Sequence, residues 1–365
     1  MKMKRIDITL NGNIMPTRTQ IYIGDHMKET FRKIYSSYGK ILFLVSRNIK
    51  ARYDDILSEY TDGSTIRTVE VSDGEDQKNL DAYYSIISTI MENSIERGDA
   101  IAYAGGGTLG DVTGFASASY MRGIDLLAFP TTLLAQVDSS IGGKNGVNFH
   151  GVKNLIGTFH NPVAVFCDTR FIKRSEQGVV LDSLGELLKY GFIGNPAILG
   201  ILESHKDIAD LINTDLENII ELGIMVKKKF VEADPLDTGE RKILNFGHTF
   251  GHVIEACSSG RIPHGNAVLL GIMAESEFGQ KVFGIKDICS GTVRSFMKNY
   301  GIRIRFDYPF KLDEIPAYLN LDKKSAGNSI TMSFVDSPGH PVMKNAEKNE
   351  ASLFLRDWLS NDQWK

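Results

Sequence analysis

Two hydrophobic periods divide the chain. Short runs of β-branched or apolar residues, Ile41 to Val45, Thr68 to Val71, Ala100 to Ala104, Leu126 to Phe129 and Ala164 to Asp168, predict strands. Between them, stretches such as Asn79 to Arg97 and Thr113 to Met121 carry the helical period. Met1 to Met15 alternate apolar and polar residues with no continuous apolar core, which predicts a strand rather than a signal peptide. Alternation of strand and helix predicts a parallel sheet covered by helices.

After about Arg170 the strand pattern fades. Leu181 to Tyr190, Ile208 to Glu232, Phe246 to Ala256, Asn266 to Phe283 and Gly291 to Tyr300 all read as helices. The shift predicts two domains, an α/β Rossmann-like domain over residues 1–170 and an all-helical domain over residues 171–365, with the active site in the cleft between them. A late run, Ser329 to Val335 followed by Ser337-Pro338-Gly339, predicts a strand and turn.

Composition narrows the function. At 365 residues, 42% hydrophobic, 24% charged and a net charge of −4, the chain reads as a soluble globule with too little positive charge for nucleic acid as its main partner. Lys227-Lys228-Lys229 is the one basic run, read as a solvated helix face. Cys167, Cys257 and Cys289 are far apart and form no CxxC pair, so a disulfide framework and a cysteine zinc site are both disfavoured and a reducing compartment fits. No apolar run approaches the roughly 20 residues that span a bilayer, and the protein is expected to be cytoplasmic.

Three of the eight histidines fall between His248 and His264. Imidazole is a common metal ligand, and His248 and His252 stand at i and i+4, on one face of a helix; spacing alone favours that pair. Glu186 and Lys189, at i and i+3, form an intrahelical salt bridge, or Glu186 instead completes with the histidines a His/His/carboxylate zinc set with an open position. No glutamate follows His248, which argues against the HExxH metalloprotease pattern. Arg241 and Asn245 lie just upstream as a candidate anion clamp.

A second candidate site lies at Gly105-Gly106-Gly107-Thr108-Leu109-Gly110-Asp111, which follows a predicted strand and opens a helix. Glycine there lets the backbone approach a phosphate, and the helix terminus offers free N–H groups. Asp111 would repel a pyrophosphate and is expected to face a ribose or the reacting centre. A loop region from Pro130-Thr131-Thr132 through Asp138 to Lys144, and on to Lys153-Asn154, gathers hydroxyls, glycines and two lysines suited to a phosphorylated, polyhydroxylated ligand.

In combination these segments resemble the 3-dehydroquinate synthase family of sugar-phosphate cyclases, over roughly Glu75 to Val268: Gly105-Gly106-Gly107-x-x-Gly110-Asp111-x-x-Gly114-Phe115, Pro130 to Lys144, Lys153-Asn154, Glu186-x-x-Lys189, Arg241-x-x-x-Asn245-x-Gly247-His248-Thr249-x-Gly251-His252, and His264-Gly265. The resemblance implies a homodimer with an NAD-binding α/β domain and a helical domain holding one divalent metal, zinc or cobalt. It assigns the metal to Glu186, His248 and His264, overriding the spacing argument, with His252 beside the substrate. It implies substrate contacts by Asp138, Lys144, Asn154, Lys189, Lys227, Arg241, Asn245 and His252, with Arg122 reaching the neighbouring subunit's phosphate site and Lys323 or Lys324 closing it. NAD contacts fall to Asn48, Glu75, Lys78, Gly106, Gly107, Gly110, Asp111, Thr131, Thr132 and Lys153, with Asp138 and Lys144 shared.

The implied reaction converts 3-deoxy-D-arabino-heptulosonate 7-phosphate to 3-dehydroquinate and phosphate. It runs by transient oxidation with NAD, phosphate elimination, re-reduction and aldol closure. Three positions depart from the family: Ser46-Arg47-Asn48 replaces the aspartate common at the ribose, Gly178 to Gly185 lacks the usual arginine, and Lys144-Asn145 replaces Lys-Thr. Aminodehydroquinate synthase and a metal-dependent polyol dehydrogenase are the alternative readings. Arg241, Asn245 and His252 argue against the valiolone and deoxyinosose cyclases, which usually alter them, and the intact lysines and ligands argue against a non-catalytic relative.

Overall fold

The computed structural model describes residues 3–10, 16–304, 310–321 and 325–360. The chain divides into two compact units, residues 1–175 with 216–236, and residues 176–215 with 237–365.

The first unit is built on nine strands: β1 Lys4–Thr9, β2 Arg18–Gly24, β3 Ile41–Ser46, β4 Ile66–Val71, β5 Ala100–Gly105, β6 Asp125–Pro130, β7 Lys144–Phe149, β8 Val152–Phe159 and β9 Ala164–Asp168. Helices α1 Lys28–Tyr35, α2 Arg47–Thr61, α3 Leu80–Glu92 and α4 Gly107–Ser119 connect strands, and α5 Thr169–Lys173 follows β9. Seven strands form one sheet in the order β1-β2-β9-β6-β5-β3-β4, parallel except for β1 against β2. Every residue of β3, β5 and β9 is buried, as expected where an uninterrupted apolar run is covered on both faces. Phe129 on β6 stacks on Phe166 of β9 at 4.7 Å between ring centroids, and Phe31, Phe43 and Tyr60 close around Phe129. Each such ring, fully buried, contributes about 1.5–3 kcal/mol.

The five predicted central strands form, and the predicted N-terminal strand is β1. The sequence reading missed β2, and it took Pro130 to Asn154 as loop. That segment instead makes a single π turn at Ala135–Ser139 and the β7–β8 hairpin. The hairpin turns on His150 and Gly151, both at positive φ (47° and 78°), which suits the primed turns that two-residue hairpins prefer. Its alternation is blurred by Gly146 and Gly157, whose backbones meet face to face.

The second unit opens with α6 Gln177–Ile193, α7 Ala197–Ser204 and α8 Ile208–Thr214. The single helix predicted over Ile208 to Glu232 is broken at Asp215, which leaves helical geometry (φ −125°, ψ 10°). His205 holds the break through Thr214 at 2.8 Å and Asp215 at 3.2 Å. The next helix, α9 Leu216–Ala233, belongs to the first unit, so the predicted division at residue 170 is not one clean cut. Lys228 on α9 donates to the backbone oxygen of Asp7 and to Glu232, and Glu232 accepts the Thr9 N–H, so α9 occupies hydrogen-bonding groups of edge strand β1.

The chain then returns for α10 His248–Cys257, α11 His264–Phe283, α12 Ser290–Asn299, α13 Ile315–Leu321 and α14 Lys348–Ser360. The unit is helical and also carries a small antiparallel sheet of β10 Ser325–Ala326, β11 Ser329–Ser337 and β12 His340–Glu347, which accounts for the late strand and turn. Among the described residues no helix is long and apolar enough to cross a membrane.

Candidate active site

Small residues set the spacing of the three helices that matter. Where α6 meets α11, a Cβ on Gly265 would lie 1.6 Å from the Asp182 carbonyl oxygen, and one on Gly185 would lie 2.4 Å from the Gly265 carbonyl oxygen. Where α10 meets α11, a Cβ on Gly271 would lie 1.9 Å from the Gly247 carbonyl oxygen. No larger residue fits at these crossings, so the backbones approach closely and the neighbouring side chains converge. Glu186 follows Gly185, His264 precedes Gly265, and His248 follows Gly247.

Among the described residues, Glu186, His248 and His264 form one group able to hold a metal, with one donor atom from each within 4.8 Å of the others. Glu186 Oε1 lies 2.9 Å from His248 Nε2 and 3.6 Å from His264 Nε2. Although buried, Oε1 receives no hydrogen bond of acceptable geometry. A carboxylate oxygen and two imidazole nitrogens that converge this closely suit a divalent cation of borderline softness. The histidines are also oriented from behind. Nδ1 of His248 lies 3.2 Å from the Phe246 carbonyl oxygen, and Nδ1 of His264 lies 3.5 Å from the Glu255 carboxylate. Such contacts to the outer nitrogen direct the inner one at a metal.

The electrostatics agree. Burial would raise the Glu186 carboxyl, but Lys189 and His248 outweigh it and hold the group well below the usual carboxylate range. Burial, with Lys189 nearby, pushes His248 down, keeping its nitrogen a free donor. His264 is only half-buried; desolvation works against its charge, yet the carboxylates of Glu186 and Glu255 raise it to about 10, marking a position that attracts positive charge. Lys189 donates to Glu186 Oε2, so the intrahelical salt bridge uses one carboxylate oxygen and leaves the other, Oε1, facing the histidines. The i, i+4 argument fails here. His252 shares a helix face with His248, and its ring centroid lies 5.2 Å from that of His248 and 5.9 Å from that of His264, but the third donor is His264. The same unit buries Arg241 at 1% exposure, beside Asn245 on a short 3₁₀ turn.

In the first unit β5 ends at Gly105, Gly106 caps, and Gly107 begins α4 as the glycine pattern requires. A Cβ on Gly107 would meet the Ser139 hydroxyl at 2.8 Å, and one on Gly110 the Tyr103 hydroxyl at 2.7 Å. Around this helix terminus Glu75 accepts from Asn148 (2.9 Å) and Thr108 (3.3 Å). Lys78 pairs with Asp111 at 2.5 Å, so Asp111 meets a cation here rather than standing alone. Burial raises Asp111 to about 6 against the pull of Lys78. Thr132 caps the π turn through the Ala135 N–H, and the buried Thr131 hydroxyl has no hydrogen-bond partner among the described residues. Asp138, within the π turn, pairs with Lys227 of α9 at 2.6 Å, so Lys227 is buried and paired rather than part of a solvated face. Lys144, Lys153 and Asn154 lie on the β7–β8 hairpin, Asn154 at a left-handed φ of 52° with its N–H on the Asn148 side chain. Asn48 is exposed in the first turn of α2. Arg122 follows α4 at a left-handed φ of 67°. Lys323 and Lys324 lie outside the described residues.

Two family models match in succession, "3-dehydroquinate synthase N-terminal" over residues 68–181 and "3-dehydroquinate synthase C-terminal" over residues 183–325. The chain belongs to the 3-dehydroquinate synthase family. A family member of that name from Thermoplasma volcanium is 34% identical over 364 residues, covering 99% of both chains. One from Picrophilus torridus is 38% identical, covering 88% of this chain and 90% of its own. Solved structures share the fold. A 2-deoxy-scyllo-inosose synthase, complexed with carbaglucose-6-phosphate, NAD+ and Co2+, superposes at TM-score 0.84 with 22% identity over 97% of this chain and 99% of its own. The 2-epi-5-epi-valiolone synthase of Streptomyces hygroscopicus, with NAD+ and Zn2+, does so at 0.83 with 19% identity over 96% and 99%.

Sequence reasoning missed the residues that support this group, Asp182, Glu255 and Glu275. Asp182 accepts the Asn266 N–H and Glu275 accepts two backbone N–H groups at the start of α10. The one signal in the sequence was an acidic residue inside an otherwise apolar helical stretch, as at Leu269 to Glu275.

Proposed function

We propose that this protein is a 3-dehydroquinate synthase, a phosphate-eliminating lyase that converts 3-deoxy-D-arabino-heptulosonate 7-phosphate to 3-dehydroquinate. The observation that carries the reading is the Glu186, His248 and His264 group, with its buried unbonded oxygen, in a chain that matches both halves of the family. When bound, NAD supplies a hydride acceptor that later returns the hydride, and a divalent metal supplies Lewis acidity.

The rest falls to the chain's own residues. Glu186, His248 and His264 would hold the metal, and Lys189 keeps Glu186 ionised for that role. The turn at Gly106 and Gly107, with Gly110 close behind, admits the dinucleotide phosphates to the free N–H groups of α4. Glu75, Lys78, Thr131 and Thr132 surround that terminus, Asn48 and Lys153 extend the nucleotide site, and the Lys78–Asp111 pair prevents Asp111 from repelling the phosphates. Lys144, Lys189, Lys227 and Arg241 bind the substrate's anionic ends and stabilise the charge that develops on departing phosphate. Asp138, Asn154, Asn245 and His252 supply polar contacts to its hydroxyls, with Asp138 also orienting Lys227. Arg241 and Lys189 place buried positive charge in the unit that carries this group, which suits an acidic substrate. We further propose a homodimer in which Arg122 serves the neighbouring phosphate site, and a cytoplasmic location.

The test is an assay with the heptulosonate phosphate, a divalent metal and trace NAD. Stoichiometric phosphate release without net NADH supports the reading. Steady NADH accumulation would point to a polyol dehydrogenase, and no phosphate release would refute the cyclase altogether.

A further inference from the structure

Glu275 lies three turns along α11 from His264 and is fully buried, in a stretch that is otherwise apolar from Leu269 to Ala274. A carboxylate in such surroundings is expensive unless its oxygens find donors. Both find one at the same place: Oε2 accepts the Gly247 N–H at 2.8 Å and Oε1 accepts the Phe250 N–H at 2.9 Å. These groups lie on either side of His248. They belong to the start of α10, where backbone N–H groups lack partners within the helix and the helix dipole favours negative charge.

The geometry ties two ligand-bearing helices together. Gly271, one turn before Glu275, lets α11 touch the Gly247 carbonyl, and Glu275 then grips the same turn of chain from below. That turn runs through Gly247 in the left-handed conformation (φ 77°), which sets the direction in which His248 leaves the backbone. The carbonyl of Phe246, immediately before it, contacts Nδ1 of His248. A residue on the helix of His264 therefore fixes the backbone from which His248 projects.

We propose that Glu275 is a positioning residue of the metal centre, aiming His248 Nε2 at the cation and thereby setting metal affinity; this rests on the metal-dependent reading above. Glu275→Gln keeps the shape but turns an NH₂ group toward one of the two N–H donors, so one bond is lost and a repulsive contact replaces it. The experiment measures the Zn2+ dissociation constant and the visible absorption of the Co2+-substituted protein, at a temperature where circular dichroism shows parent and variant equally folded. The expected result is a dissociation constant weaker by about 10- to 100-fold, in the range for losing a contact that orients a ligand, and a shifted Co2+ band. Glu275→Asp, which reaches only one N–H, should fall between, and it carries the test if the glutamine variant does not fold. Parent affinity and an unchanged Co2+ spectrum in a destabilised variant would reduce Glu275 to a helix cap and overturn the proposal. A parent protein that binds no stoichiometric metal, or binds it equally well after Glu186→Ala, would instead sink the metal-dependent reading itself.

Discussion

Replacing Gly265 by alanine tests how the ligand group is assembled. The added Cβ would sit 1.6 Å from the Asp182 carbonyl oxygen and 2.6 Å from its carbon, both backbone atoms that no rotamer change can move. Restoring an ordinary contact near 3.5 Å requires α6 and α11 to separate by roughly 1.5–2 Å. Glu186 stands on one of these helices and His264 on the other, so the separation acts directly on their 3.6 Å approach. Metal–ligand distances tolerate only about ±0.2 Å, and a misplacement near 1 Å costs on the order of 100-fold in rate. Overpacking adds about 1–3 kcal/mol of destabilisation. We therefore expect Gly265→Ala to lose bound metal on gel filtration, measured by elemental analysis, and to release phosphate at least ~100-fold more slowly. Gly200→Ala is the control. A Cβ there meets nothing within 4 Å, and in the interior of α7 it should add about 0.5–1 kcal/mol of stability while leaving metal content untouched. If Gly265→Ala retains one metal per chain and activity within tenfold of the parent, the crossing does not set the site.

Further outcomes are expected. Arg241→Lys, by exchanging a planar fork for a point charge in a buried position, should lower kcat/KM by about 10²-fold or more while NAD binding, followed by fluorescence, stays unchanged. Hydrogen bonds from Arg170 hold the Glu59 carboxyl below its ordinary 4.5, so this pair contributes stability above that pH and loses it as pH falls through the lowered value. Glu59→Gln should then cost about 1–3 kcal/mol at pH 7 by urea unfolding, and the gap to the parent should close in acid; a gap independent of pH would refute the assignment. Burial pushes the Cys257 and Cys289 thiols up to about 12 and raises Cys167 as well, so none of the three should react with a thiol reagent at pH 8 until denaturant exposes all three.

The fold was legible where one pattern dominated. Strands β3, β5 and β9 are continuous apolar runs, and α10 and α11 carry a strong helical period, so each was readable with little error at its ends. The β7–β8 hairpin was not, because Gly146 and Gly157 remove side chains from the alternation that would reveal it. The break at Asp215 was hidden for the opposite reason: apolar residues continue in register on both sides, and only the capping contacts of His205 and Thr214 end α8. At the site, spacing found the histidine-rich helix but favoured pairing His248 with His252, whereas the group able to hold a metal includes His264 instead. His264 lies beyond a loop, and only the glycine-mediated approach of α11 to α6 brings it to Glu186. Residues that act from beneath, such as Glu275, follow no spacing rule, because their partners are backbone groups of another helix.

The return of α9 to the first unit bears on how the protein is made. Residues 216–236 emerge only after α6, α7 and α8 have been synthesised, yet they supply Lys227 to Asp138 and cover part of the edge of β1. A nascent chain stopped at Ser175 would hold the whole seven-stranded sheet with that edge uncovered and Asp138 lacking its lysine. At ribosomal speeds of about 5–20 residues per second, the sheet-bearing unit therefore waits a few seconds for its last helix, a window in which a chaperone or a second β1 edge could compete for the vacant position. A gene truncated at the apparent domain border would extend that window indefinitely, and its product should aggregate rather than fold as an independent module.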